Sequence, residues 1–222
     1  VIDLGQNRIY VTSCSANVWR AHALDIRSGE ELQGWPVPID STTVDRPGIQ
    51  KNGNTRQWKA EGPIGSRPQR GALNLSHDGT RIYLTFGEPG GWIVSVDTVN
   101  PRVASAFSST ALDDEIRMGG IWASGGPSID AQGRIYVATG TSGRDGNMEW
   151  VYENSAGNWG QSILQFRDDP VRGFSRVALR HRGFKRDAGG ATVLRPRGLI
   201  DEQARCAQFR GHAADLLADY LK

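Results

Sequence analysis

One short motif recurs three times and limits what the chain can fold into more than any other feature. It reads Asp3-Leu-Gly-Gln-Asn-Arg-Ile-Tyr-Val-Thr12, then His77-Asp-Gly-Thr-Arg-Ile-Tyr-Leu-Thr85, then Ile129-Asp-Ala-Gln-Gly-Arg-Ile-Tyr-Val-Ala-Thr139. In each copy Asp, Asn and Gly supply turn conformations, and the β-branched and aromatic residues that follow alternate as a strand does. A second apolar run follows each copy: Val18 to Asp25, Gly91 to Asp97, and Trp159 to Phe166. The first two end in Asp and a turn, and further apolar residues come after them, Leu32 to Ile39 and Val103 to Phe107. Antiparallel meanders of about four short strands are the blades of a β-propeller.

The repeated tyrosines Tyr10, Tyr83 and Tyr136 are 73 and 53 residues apart, more than the roughly 40–50 residues of a compact blade. Inserted loops account for the excess. Asp40 to Gln69, rich in Pro, Gly, Thr and Asn, is expected as an exposed loop, and Thr141 to Gly157 as the insertion within the third unit. After Phe166 the strand pattern fades into Arg-rich sequence. There, Asp187 to Leu194 reads as one further strand, and Ala204, Ala207, Ala213, Leu216, Leu217, Tyr220 and Leu221 keep helical spacing. The expectation is all-β: a partial propeller of about three four-stranded antiparallel blades over residues 1–167, with an Arg-rich tail over 168–222 that ends in a short helix. Three blades do not close a ring, so open sheet edges are expected to invite self-association.

Charge follows the same division. Residues 1–166 carry 14 basic and 17 acidic side chains, and residues 167–222 carry 12 and 7. A basic tail can neutralise phosphates, but its arginines are scattered without aromatic interleaving or a nucleic-acid motif, so no specific nucleic-acid partner is expected. No apolar run approaches the roughly 18 residues of a membrane helix. The chain opens at Val1 and runs directly into Arg8-Ile-Tyr-Val, without the basic start and apolar stretch of a secretory leader. Cys14 and Cys206 form no metal or haem spacing and read as unpaired thiols, and His22, His77, His181 and His212 are too dispersed for a metal site. There is no Gly-x-Ser-x-Gly elbow, Walker loop or His-Glu-x-x-His sequence.

Four segments in series resemble the quinoprotein-like β-propellers, whose repeats are named after pyrroloquinoline quinone. They are Ala23-Leu-Asp-Ile-Arg-Ser-Gly-Glu-Glu-Leu-Gln-Gly-Trp-Pro-Val37, similar to the family's Ala-x-Asp-x-x-Thr-Gly-x-x-x-Trp, then Arg67-Pro-Gln-Arg-Gly-Ala-Leu73, Gly119-Gly-Ile-Trp-Ala-Ser-Gly-Gly-Pro127 and Trp159-Gly-Gln-Ser-Ile-Leu164. The resemblance covers residues 1 to about 167. It departs from the family in two places: Ser28 stands for Thr, and the Trp falls at Trp35 with Gln33 in its place, which shifts the contact between neighbouring blades. The adjacent cysteines, calcium ligands and aspartate base of the family's dehydrogenases match no residues here.

The resemblance directs attention to Gly119–Pro127. Its glycines, Gly125 and Gly126 among them, let backbone approach a ligand or bend sharply. Trp122 offers a plane on which a quinone or sugar would stack; the alternative is that it fills space between blades. Arg67 and Arg70 would present guanidinium forks to carboxylates, or stand as solvated charges. The acidic runs Asp113-Asp-Glu115 and Asp145-Gly-Asn-Met-Glu149 lack the spacing of a calcium loop. Two functions follow: a non-catalytic binding or scaffold module with no cofactor and an unknown ligand or protein partner, or a fragment of a quinone-dependent alcohol or sugar dehydrogenase using pyrroloquinoline quinone and calcium. The resemblance also implies a periplasmic or extracellular setting.

Overall fold

Each copy of the motif folds as a hairpin whose turn is tied by its own aspartate. Asp3 Oδ1 accepts the Gln6 amide at 3.1 Å, Asp78 Oδ1 the Thr80 amide at 3.1 Å, and Asp130 Oδ1 the amides of Gln132 and Arg134 at 3.0 and 2.9 Å. The left-handed position of the turn falls at Asn7, Gly79 and Gly133, with φ of 52°, 72° and 72°, where Gly and Asn carry the least steric penalty. The same device closes the next turn of the first two units. Asp25 Oδ1 holds the amides of Arg27 and Ser28, and Asp97 Oδ1 those of Val99 and Asn100.

The computed structural model describes residues 1–16, 18–49, 57–58, 68–87, 90–110, 119–140, 159–160, 162–169, 173–181, 183–186 and 192–195, the backbone alone for 175–181, 183–186 and 192–195. Within these residues lie three four-stranded antiparallel meanders in chain order. Blade 1 is β1 (Ile2–Asp3), β2 (Arg8–Ser15), β3 (Val18–Asp25) and β4 (Val37–Ile39). Blade 2 is β5 (Asn74–Leu75), β6 (Arg81–Phe86), β7 (Trp92–Asp97) and β8 (Arg102–Ser108), and blade 3 is β9 (Ser128–Ile129), β10 (Ile135–Ala138), β11 (Ser162–Asp169) and β12 (Gly173–His181). The register is shared: Tyr10 lies opposite Ala23, Tyr83 opposite Ser95, and Tyr136 opposite Gln165. The fold is a partial β-propeller of three blades.

Alternation along the strands shows how the blades stack. Ile82, Leu84, Phe86, Trp92, Val94 and Val96 of blade 2 join Tyr10, Ala21 and Ala23 of blade 1 in one core cluster. The alternate residues Tyr83 and Ile93 join Ile135, Val137, Leu164 and Phe166 of blade 3 in another. Blade 2 is therefore covered on both faces, which is why β6 and β7 read as near-continuous apolar runs rather than as a half-buried alternation. Trp35 packs against the first cluster with its ring 5.6 Å from that of Tyr10, a contact within blade 1.

Two expectations change. The stretch from Asp40 to Gln69 is not simply an exposed loop, because Val44, Ile49 and Trp58 are buried in the first cluster. Asp40 caps the short helix α1 (Ser41–Val44) through a reciprocal capping box with Thr43, and Trp58 sits edge-on to Phe86 and Trp92 at 5.0 and 5.4 Å. The strand pattern also continues past Phe166. β11 runs on to Asp169, β12 supplies the outer strand of blade 3, and β13 (Gly183–Arg186) pairs with β14 (Thr192–Arg195) where one further strand was expected. The expected terminal helix lies outside the described residues.

Candidate functional site

Close backbone contact builds the platform around Trp122. The segments leading into β5 and β9 run side by side: the Ala72 amide donates to Ser124 O at 2.9 Å, and the Asn74 side-chain amide donates to Pro127 O. A Cβ at Gly71 would lie 2.5 Å from Thr85 Oγ1 and 2.8 Å from Ala123 O, and one at Gly126 would overlap Ala72 O. Gly126 also turns through φ 73°. These two positions require glycine for steric reasons.

Trp122 lies half-buried in a glycine cradle. A Cβ at Gly87, at the end of β6, or at Gly120 would overlap the indole, and one at Gly140, beyond β10, would come within 3.3 Å of it. The Ile121 amide donates to Phe86 O at 3.1 Å and the Gly140 amide to Gly120 O at 2.7 Å, which pins the tryptophan across the ends of blades 2 and 3. Arg70 is exposed, and its Cζ stands 5.4 Å from the centre of the Trp122 ring, within cation–π range. Gly125 is exposed with open space where its Cβ would be. The structure thus joins Arg70 to Trp122 and places Gly126 in the supporting backbone. Arg67, Asp113–Glu115 and Asp145–Glu149 lie outside the described residues.

A second constellation, which the sequence did not single out, seals blade 2 to blade 3. Both Asp168 oxygens are engaged, Oδ2 by the Ser95 hydroxyl at 2.6 Å and Oδ1 by the Ser105 hydroxyl at 3.0 Å. Arg81 bridges Asp97 at 3.0 Å and approaches Asp168 at 3.9 Å. Burial pushes the Asp168 carboxyl above its usual range despite the bonds from Ser95 and Ser105, the Arg81 charge and Tyr83. Burial and the facing Asp168 likewise push the Tyr83 phenol up. His77 Nε2 donates to Asp130 O at 2.8 Å, linking the turns of the same two blades. An open cleft of about 850 Å³ lies over this network. The readable signal was serine inside otherwise apolar strands; Asp168 itself was concealed by the charge of the tail.

The groups at the platform, one indole plane to stack on and one guanidinium to donate, suit a planar anion. Calcium needs six to eight oxygens, and among the described residues no group of three or more His, Cys, Asp or Glu is gathered to hold a metal.

Comparison with protein-family profiles and with curated proteins finds no match. Among solved structures, the quinohemoprotein alcohol dehydrogenase ADHIIG from Pseudomonas putida HK5 aligns with 93% of this chain at 11% identity and a TM-score of 0.41. The chain spans 37% of the length of that structure. No helix among the described residues is long and apolar enough to cross a membrane.

Proposed function

We propose that the chain is a quinoprotein-like β-propeller module that serves as a binding scaffold, taking a planar anionic ligand on the Trp122–Arg70 platform without contributing chemistry there. The observation that carries this reading is Arg70 poised over an indole that the blade ends hold in place. A ligand carboxylate would draw the guanidinium into a bidentate pair, and the ligand ring would take its place on the indole. A periplasmic or extracellular setting belongs to the same proposal.

Titration of the folded chain with pyrroloquinoline quinone, with and without calcium, tests it. Tryptophan fluorescence reports binding, and reduction of an artificial acceptor in the presence of alcohols and sugars reports turnover. Saturable quenching without turnover, weakened by Arg70→Ala at unchanged melting temperature, is the expected result. Substrate-dependent reduction would instead make the chain part of a quinone-dependent dehydrogenase. Absence of quenching would remove the platform as a quinone site and turn attention to protein or glycan partners.

A further inference from the structure

The outward face of blade 1 carries an arrangement that the binding reading does not use. Register equates its positions with those of blade 2. Where Ile82, Leu84 and Phe86 of β6 face blade 1, β2 presents Ile9, Val11 and Ser13 outward, and where β7 has Trp92, Val94 and Val96, β3 has Arg20, His22 and Leu24. Half of the face stays apolar; the other half is replaced by a serine, an arginine and a histidine. These polar side chains are organised. Ser13 Oγ lies 2.8 Å from His22 Nε2, and His22 Nδ1 lies 2.7 Å from Glu31 Oε2. The other Glu31 oxygen accepts the Ala23 amide at 3.1 Å, which fixes the carboxylate.

We propose that Ser13, His22 and Glu31 form an acyl-transfer triad that acts on short-chain activated esters. An ionised Glu31 only accepts hydrogen bonds, so in the neutral imidazole the proton sits on Nδ1 and the Nε2 lone pair faces the Ser13 hydroxyl. That is the arrangement of nucleophile, base and orienting group in serine hydrolysis. Arg20 lies directly across from Ser13 on the same face, with Nη1 held by Ser15 Oγ at 2.8 Å. Nη1 also reaches Val18 O at 3.5 Å, so in the proposed reaction the remaining guanidinium N–H groups would have to turn toward Ser13 to serve the developing oxyanion. Ile9, Val11 and Leu24 continue the face beside the histidine as an apolar strip for an acyl chain. Ser13 is exposed, and His22 and Glu31 retain 19% and 31% of their side-chain exposure, so a substrate reaches them.

The reaction balances without a further reagent. Ser13 Oγ bonds to the acyl carbon as its proton passes to His22 Nε2 and the carbonyl electrons move to oxygen. The intermediate collapses with cleavage of the ester C–O bond, and the imidazolium returns the proton to the leaving alkoxide. Water then attacks the acyl-serine, giving its proton to His22. Ser13 Oγ departs with that proton, and the acid is released.

The test is labelling of the full chain with a fluorophosphonate, adduct mapping by mass spectrometry, and p-nitrophenyl acetate hydrolysis. A single adduct at Ser13 is expected, absent in Ser13→Ala and formed about a hundredfold more slowly in His22→Ala, as for loss of a general base. Glu31 is a positioning residue, and Glu31→Gln is expected to lower the acylation rate constant, read from pre-steady-state p-nitrophenolate release, while leaving the ester's dissociation constant unchanged. All three positions lie on the outward face, so wild-type melting is expected, and His22→Gln replaces His22→Ala if the latter fails to fold. No adduct on the folded chain, an adduct elsewhere, or labelling of Ser13 that is indifferent to His22 would each overturn the proposal.

Discussion

At the scale of single residues, buried charge concentrates at the contact between blades 2 and 3. Removing the Asp168 side chain leaves Ser95 and Ser105 without their acceptor and Arg81 with one fewer acidic neighbour. Asp168→Ala is expected to cost about 3–5 kcal/mol, as for a buried charged network that loses one member, read from urea unfolding. The native carboxyl titrates above its unfolded value because burial favours the neutral form. Its contribution is therefore full below the ordinary aspartate pKa and is lost as pH rises through the native value. The stability of the wild type relative to Asp168→Asn should fall as pH rises across that window; a difference that grows with pH would contradict the assignment. At the platform, Gly87→Ala would drive a methyl into the Trp122 ring. It should cost about 1–3 kcal/mol as overpacking does, and should weaken any quenching that the proposed ligand site gives.

At the scale of elements, the same turn carries different weight in different blades. Asp130 holds two backbone amides and also Arg134 Nε at 2.5 Å and the Tyr136 hydroxyl at 2.9 Å, whereas the Asp3 carboxylate accepts the Gln6 amide. Asp130→Ala should therefore destabilise more than Asp3→Ala, by about 1 kcal/mol or more on the worth of a hydrogen bond, in paired thermal melts. Burial raises the Asp130 carboxyl, but the bonds from Arg134, Tyr136 and Gln132 outweigh it and hold it below the usual range. The stabilisation is present above the ordinary aspartate pKa and fades as pH falls through the lowered native value. The turns and long strands were legible because Asp, Gly and Arg-Ile-Tyr recur in a fixed order. β1, β5 and β9 were not, since two residues contain no period. β12 was missed because its arginines read as tail charge, and Val44, Ile49 and Trp58 because isolated apolar residues among Pro and Gly carry no pattern. Of the platform, the sequence disclosed Arg70 and the glycine-rich loop with Trp122. It concealed Gly87 and Gly140, which come from other elements and meet the indole only in the folded chain.

At the scale of the whole molecule, the stacking order makes blade 2 the most protected unit. Its strands face apolar neighbours on both sides, while blade 1 turns a half-polar face outward and leaves Ile2 and Leu4 exposed. Local opening costs most where apolar contacts are densest. Native-state hydrogen exchange, resolved by residue, tests this architecture most directly. The amides of β6 and β7 that pair within the blade should exchange slowest in the chain, at rates that track global unfolding, with β1 and the start of β2 exchanging faster. Exchange of β6 and β7 as fast as β1, in a sample shown to be folded, would contradict a middle blade sealed on both faces and the propeller arrangement built on it.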